Sequence, residues 1–150
     1  MAARTQLTPV QLVRDSVSVT EAAATSAAAT MYIQGFNASS PSSTVDLRKL
    51  LLRVIVGTTA TTVTVRASGN GVDKNGNAQT SLAPSNTVFT QSTAGDLVSA
   101  STTSATLDIG PLTSDRFIQY DAAGNTYLFL DFSQVTGVTV LAYELPFVLV

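Results

Sequence analysis

Residues 50–66 read LLLRVIVGTTATTVTVR, and this stretch decides the fold class. Residues 61–66 alternate Thr or Arg with Val, which is the two-residue period of a strand buried on one face. Residues 50–56 are apolar except for Arg53, so they predict a strand with both faces mostly buried. Because only the short linker 57–60 separates the two runs, together they predict a β-hairpin at the centre of a sheet.

The same strand period recurs along the rest of the chain. Further strands are predicted at residues 16–20, 31–36, 86–90, 97–99, 105–109, 116–120, 126–132 and 138–145. Turns near residues 121–125 and 136–137 predict that the last three strands form a meander, and Gly110-Pro111 is expected to end the strand before them. Residues 21–30 are rich in alanine and lack large apolar side chains, so they predict a connector, and the Gly/Asn-rich start of residues 68–85 predicts a long loop.

Many short strands separated by turns, without a convincing amphipathic helix, predict an all-β protein. We expect a single β-sandwich, jelly-roll-like, or a barrel, with about eight antiparallel strands. Residues 1–15 are predicted to form an extended N-terminal arm, residues 16–150 the β-sandwich domain, and the last residues a second arm.

The composition excludes several kinds of chemistry. The 150 residues include no Cys and no His, which excludes disulfides, thiol catalysis, Cys/His zinc sites and His-based triads. Only 12% of the residues are charged, about half the usual fraction, and the net charge is −2. Scattered basic residues predict no nucleic-acid partner, and no apolar run is long enough to cross a membrane. A weakly charged surface favours association, although a hydroxyl-rich secreted domain would share it.

Two patterns raise the question of catalysis or metal binding. Residues 73–77, DKNGN, resemble the start of a calcium loop, but Ala78 and Pro84 replace its required Gly and Glu. We therefore predict an Asn/Gly turn and no metal or cofactor. A small hydrolase would need a pair of carboxylates. The candidates are Asp108, Asp121, Asp131 and Glu144. Without Trp to stack on a sugar, the chain is predicted to be no enzyme and to have no small-molecule substrate.

Both ends of the sequence carry apolar residues that predict contacts. Residues 145–150 read LPFVLV, either a last strand in the chain's own core or a tail that packs on a neighbouring subunit. Thr8-Pro9 favours an extended arm, which could add a strand to a partner's sheet. The candidate interface residues are Leu7, Pro9, Leu12, Tyr32, Phe36, Pro146, Phe147, Val148, Leu149 and Val150.

Two parts of the chain resemble small head proteins of tailed bacteriophages. Residues 109–117, IGPLTSDRF, are similar to the IGPL-(S/T)-x-RF segment of those proteins. Residues 119–132, with QYD and then YLFLDF, resemble the DG-x-LY-x-DF hairpin that follows it. The opening RTQLTPVQL at residues 4–12 and the pair Leu145-Pro146 are also similar. The middle of the chain does not match, and the turn 121–124 is longer than the family's Asp-Gly.

This resemblance implies a virion protein on the exterior of the capsid, made in the host cytoplasm. The expected role is a minor capsid or decoration (cement) protein that binds the major capsid protein and itself. A trimer is favoured because closed symmetry prevents unlimited assembly. The alternatives are a tail- or fibre-associated virion protein, a receptor- or carbohydrate-binding module, and a small hydrolase.

Overall fold

The computed structural model describes residues 4–12, 25–42, 44–67, 96–113, 115–121 and 123–146. The strands in chain order are β1 (Thr5–Gln6), β2 (Val10–Gln11), β3 (Thr25–Ser26), β4 (Thr30–Gln34), β5 (Leu50–Ile55), β6 (Thr62–Val65), β7 (Leu97–Ala100), β8 (Thr106–Leu112), β9 (Ile118–Tyr120), β10 (Thr126–Phe132) and β11 (Thr139–Glu144). The 3₁₀ turns in the described part of the chain are Leu47–Lys49 and Asp115–Phe117. The predicted strands at 16–20 and 86–90, the loop at 68–85 and the calcium-like segment lie outside the described residues.

The strands form two sheets that share one apolar core. The first sheet has the order β1–β4–β10–β6–β7, with β9 also paired to β10. The second has the order β2–β11–β5–β8, with β3 also paired to β11. The predicted all-β sandwich is therefore confirmed, and the barrel alternative is wrong because the sheets do not close into a barrel.

Strand alternation explains how the core is filled. Leu50, Leu52 and Val54 of β5 are fully buried, as the two-residue period requires of one face. The other face is only partly buried: Ile55 is 41% exposed, and Arg53 forms an ion pair with Asp108 at 2.8 Å. The prediction that both faces of β5 are mostly buried was therefore wrong. Core side chains from the first sheet that are also fully buried are Met31, Ile33, Val63, Val65 and Leu130.

The strongest predicted hairpin is absent. β5 pairs with β11 and β8, whereas β6 pairs with β10 and β7, so the linker 56–61 carries the chain from one sheet to the other. The predicted meander is correct only in its first half: β9 and β10 pair antiparallel, but β11 crosses to the second sheet. The two crossings lie side by side, because Thr61 Oγ1 donates to the Gln134 carbonyl at 2.7 Å.

The first described residues close one side of the sandwich. β1 pairs with β4 in the first sheet and β2 pairs with β11 in the second, and both pairings are parallel. The sheets are therefore mixed, and the prediction of purely antiparallel strands was wrong. Between the two short strands Leu7 inserts into the core, where it is 2% exposed.

β8 is longer than predicted. It continues through Gly110 and Pro111 to Leu112, with a shift of register in its pairing to β5 between Leu50 and Leu52. Gly110 has φ +122°, a conformation that side chains rarely adopt, so the glycine allows an irregular strand to continue where the sequence predicted an end. The described residues include no helix with the length and apolar character needed to cross a membrane.

Candidate binding surface

A cleft of about 380 Å³ lies at one end of the sandwich, which we call the end cleft. One wall is formed by residues 44–48 and the other by Phe36, Ile118, Tyr120 and Thr126. Phe36 is 38% exposed and Tyr120 is 47% exposed, and both belong to the few large apolar side chains that face solvent in the described part of the chain. Exposed rings beside an opening of this size make the end cleft a candidate binding surface.

Backbone hydrogen bonds fix the position of Phe36. Its N–H donates to Thr126 Oγ1 at 2.7 Å, and its carbonyl accepts from the Thr126 N–H at 3.1 Å. The Ala38 N–H donates to Asn125 Oδ1 at 2.8 Å, which holds the chain after β4 against the start of β10. Because both ends of the segment are held, the Phe36 ring is presented from a rigid support.

The opposite wall is held by Asp46. Its carboxylate accepts from the Arg48 N–H at 3.1 Å and lies 3.2 Å from Lys49 Nζ. Burial opposes ionisation of Asp46, but these hydrogen bonds outweigh it and lower the pKa of that carboxyl below its usual value. The Asp46 N–H donates to Glu144 Oε1 at 3.0 Å, which attaches the wall to the end of β11.

Gly35 allows the two walls to approach each other. A Cβ at this position would lie 2.5 Å from Thr126 Oγ1 and 2.7 Å from Leu47 Cγ. We expect Gly35→Ala to lower the free energy of unfolding by about 1–3 kcal/mol through overpacking. Urea unfolding measures the loss. Adding Leu47→Ala removes one of the clashing groups, so the double variant should lose less than the sum of the single losses; strict additivity would contradict this account.

The buried side chain of Asp121, the residue after Tyr120, organises the turn between β9 and β10. Oδ1 accepts from the N–H groups of Ala123 and Asn125, both at 2.9 Å. Oδ2 accepts from Asn125 Nδ2 at 2.8 Å and from the Tyr127 hydroxyl at 2.9 Å. Burial opposes ionisation of Asp121, but these bonds lower the pKa of its carboxyl, while burial and the Asp121 charge raise the pKa of Tyr127.

A second cleft of about 300 Å³ adjoins the first and shares Val45 with it. Pro9 lines this second cleft together with amide and hydroxyl side chains. Those polar side chains are Gln6, Thr8, Gln34, Asn37 and Ser40. Pro9 and Phe36, two residues predicted from sequence to lie at an interface, therefore sit on neighbouring clefts.

Two more predicted interface residues reach the same end of the sandwich. The Leu12 N–H donates to the Glu144 carbonyl, and the Leu145 N–H donates to the Lys49 carbonyl, both at 2.9 Å. Leu12 and Pro146 therefore lie beside the last residues of β11, next to the Asp46 wall. Phe147, Val148, Leu149 and Val150 lie outside the described residues.

Leu7 and Tyr32 are placed differently from the other predicted interface residues. Leu7 packs in the chain's own core and Tyr32 is 8% exposed, with its hydroxyl donating to Gln6 Oε1 at 3.1 Å. Neither side chain is open to a partner in the described structure. The end cleft also contains Tyr120, which sequence reasoning assigned only to a strand.

Tyr32 belongs to an aromatic cluster on the outer face of the first sheet. Its ring meets Tyr127 edge-on at 5.9 Å between centroids, and Tyr127 stacks on Phe129 at 6.2 Å. Arg4 covers this cluster: its guanidinium carbon lies 4.3 Å from the Phe129 centroid, and Nη1 donates to Asp131 Oδ1 at 2.7 Å. The outer face is thus packed and charge-paired at these positions.

The four carboxylates considered for hydrolysis each have a different structural partner. Asp108 pairs with Arg53, Asp131 with Arg4, and Glu144 accepts from the Asp46 N–H, while Asp121 organises its turn. Among the described residues, no group of three potential metal-ligating side chains occurs. The four side chains are therefore explained by structural interactions.

Comparisons with known proteins give no match to a family model, to a curated protein or to a solved structure. The fold defines the structural class of the chain, which is a β-sandwich of two mixed sheets. The end cleft, with its exposed rings and the neighbouring ends of two chain segments, is the surface from which a function can be argued.

Proposed function

We propose that this chain is a structural protein of a tailed-bacteriophage virion, a minor capsid or decoration protein that binds the major capsid protein lattice and stabilises the head. The observation that carries the proposal is the end cleft, where Phe36 and Tyr120 expose apolar rings on a rigid support. Buried aromatic anchors at the centre of a contact supply much of the energy of protein association. Leu12 and Pro146 extend the same end of the sandwich.

The sequence resemblance to phage head proteins supports the same role. The resembling residues 109–132 form the end of β8, a 3₁₀ turn and the β9–β10 hairpin. Ile118, Tyr120 and Thr126 from this hairpin line the end cleft. The part of the chain that resembles the family therefore contributes one wall of the proposed contact surface.

The low charge of the chain fits a surface that is covered in use. With 12% charged residues, little electrostatic repulsion opposes packing against neighbours. Copies held in a closed trimer on a rigid lattice would each make modest contacts, and avidity would make the assembled layer far tighter than one contact. Binding of this kind needs no reaction at the cleft.

The proposed function is tested on virions of the phage that encodes this sequence. Mass spectrometry is expected to find the chain in purified particles, and cryo-electron microscopy to place it on the outer capsid surface at positions of local symmetry. Particles that lack the chain should release their DNA at a lower temperature than complete particles. Absence from virions would refute the proposal, and a position on the tail would favour the tail or fibre alternative.

A receptor- or carbohydrate-binding module is the second candidate. The polar second cleft beside exposed Phe36 and Tyr120 favours it, because rings that stack and amides that hydrogen-bond are the usual means of sugar recognition. This candidate requires a monomer in solution with saturable binding of a glycan. Native mass and glycan binding on the purified chain separate the two functions.

A further inference from the structure

We propose that the end cleft of one copy binds residues 146–150 of a second copy, so that copies associate head to tail. The inference rests on the proposed function, since it names the surface through which the structural protein joins its own copies. The occupant is a segment of this chain, Pro-Phe-Val-Leu-Val, whose side chains carry no charge and no hydrogen-bonding group.

The end cleft has the chemistry to receive such a segment. Phe36, Val45, Leu47, Ile118 and Tyr120 form the apolar part of its lining, with Phe36 and Tyr120 still partly exposed to water, and Thr44, Asp46, Arg48 and Thr126 form the polar part. Its volume of about 380 Å³ lies at the lower end of the range for pockets that enclose small ligands or a few side chains. Covering the two rings with Phe147 and Leu149 would remove apolar surface of both copies from water.

The residues just before the segment are anchored next to the cleft wall. Leu145 is held by Lys49, and Glu144 accepts from the Asp46 N–H. Beyond Leu145, an extended chain rises about 3.3 Å per residue, so residues 147–150 span about 13 Å.

Binding between copies depends on concentration, whereas binding of the segment in the chain's own cleft does not. Association of the purified chain therefore separates a second copy from the chain itself as the source of the segment.

A contact of this kind joins two different surfaces and is therefore heterologous. Each copy donates one segment and offers one cleft, so the contacts form a ring where the rotation between copies closes. A trimer uses three such contacts and leaves no segment and no cleft unoccupied.

Complementation between two variants of the full chain tests the proposal. The cleft variant carries Phe36→Ser and Tyr120→Ser, and the segment variant carries Phe147→Ser and Leu149→Ser. Sedimentation velocity should show that each variant alone associates at least tenfold more weakly than the unchanged chain. An equimolar mixture should form a complex of two copies and nothing larger, because only one intact cleft–segment contact can form. Val98→Ser, at a residue 59% exposed and away from the cleft, is the matched control and should associate normally.

Several outcomes would overturn the inference. An unchanged chain that is monomeric at every concentration, a cleft variant that associates normally, or a mixture without a complex would each do so. A peptide of residues 144–150 gives a measurement independent of variant folding: it should dissociate assemblies of the unchanged chain, and no effect at saturating peptide counts against the proposal. The virion location of the chain is measured separately, so the proposed function can stand if this contact fails.

Discussion

Replacing Phe129 with Ala is expected to lower the free energy of unfolding by about 3–5 kcal/mol. The ring is 1% exposed although it lies on the outer face of the first sheet. It packs between the stacked Tyr127 ring and the Arg4 guanidinium, and Phe129 is opposite Tyr32 in the strand register. Removal of the ring would leave a cavity. It would also deprive the Arg4 guanidinium of its aromatic contact, and Arg4 holds the first described residues to the sandwich through Asp131.

Urea unfolding at neutral pH measures this loss directly. Val98→Ala is the control, because Val98 is exposed on β7 and its truncation should change stability by less than about 0.5 kcal/mol. Phe129→Leu keeps most of the volume and should lose less than Phe129→Ala. A loss below about 1 kcal/mol for Phe129→Ala would show that the outer aromatic cluster contributes little to the fold.

Asp121→Ala is expected to cost about 3 kcal/mol, because a single carboxylate accepts four hydrogen bonds in this turn. The variant would leave the buried Tyr127 hydroxyl without its acceptor, which adds a desolvation penalty. Asp121→Asn keeps one acceptor oxygen and should cost less. Asp108→Asn is the matched control: Asp108 forms an exposed pair with Arg53 and should cost less than about 1 kcal/mol.

The same carboxylate makes stability depend on pH. The pKa of Asp121 is lower in the folded chain than the unfolded value of about 3.9, so the folded state binds the proton less readily than the unfolded state. Its contribution is complete above about pH 5 and is lost as the pH falls below about 4. Asp46 and Asp108, whose pKa values are also lowered, act in the same direction. Unfolding free energies at pH 7, 5 and 3 should fall less steeply for Asp121→Asn; an unchanged slope would contradict the assignment.

The positions of the longer strands could be predicted from sequence, but their partners could not. The two-residue strands β1, β2 and β3 were missed, because they lie in segments predicted to be an arm and a connector. The run TYLFLDF located β10 at residues 126–132, whichever strands lie beside it. The linker 56–61 crosses between sheets, whereas the turn 121–125 returns within one sheet, and both are short segments between alternating strands. Hairpin and crossing satisfy the same local pattern, so only the packing of the whole core decides between them.

The candidate surface could be predicted in part. Pro9, Phe36 and Pro146 came from apolar residues at the ends of predicted elements, and the structure places all three at one end of the sandwich. Tyr120 was missed, because Ile118 and Tyr120 share a strand face and alternation alone gives both the same burial. Ile118 is 7% exposed and Tyr120 47%, a difference that arises because the core ends between them at the mouth of the cleft.

The parallel pairing of β2 with β11 sets the order of events during synthesis. Val10 pairs with Tyr143, so the first strand of the second sheet has no partner until β11 has been made and has left the ribosome. At typical elongation rates that delay is on the order of ten seconds. During this interval β2 is present without β11, the strand with which it pairs in the finished sheet. The sandwich therefore reaches its final form only after β11 has been made, which postpones any attachment to other copies that needs the finished second sheet.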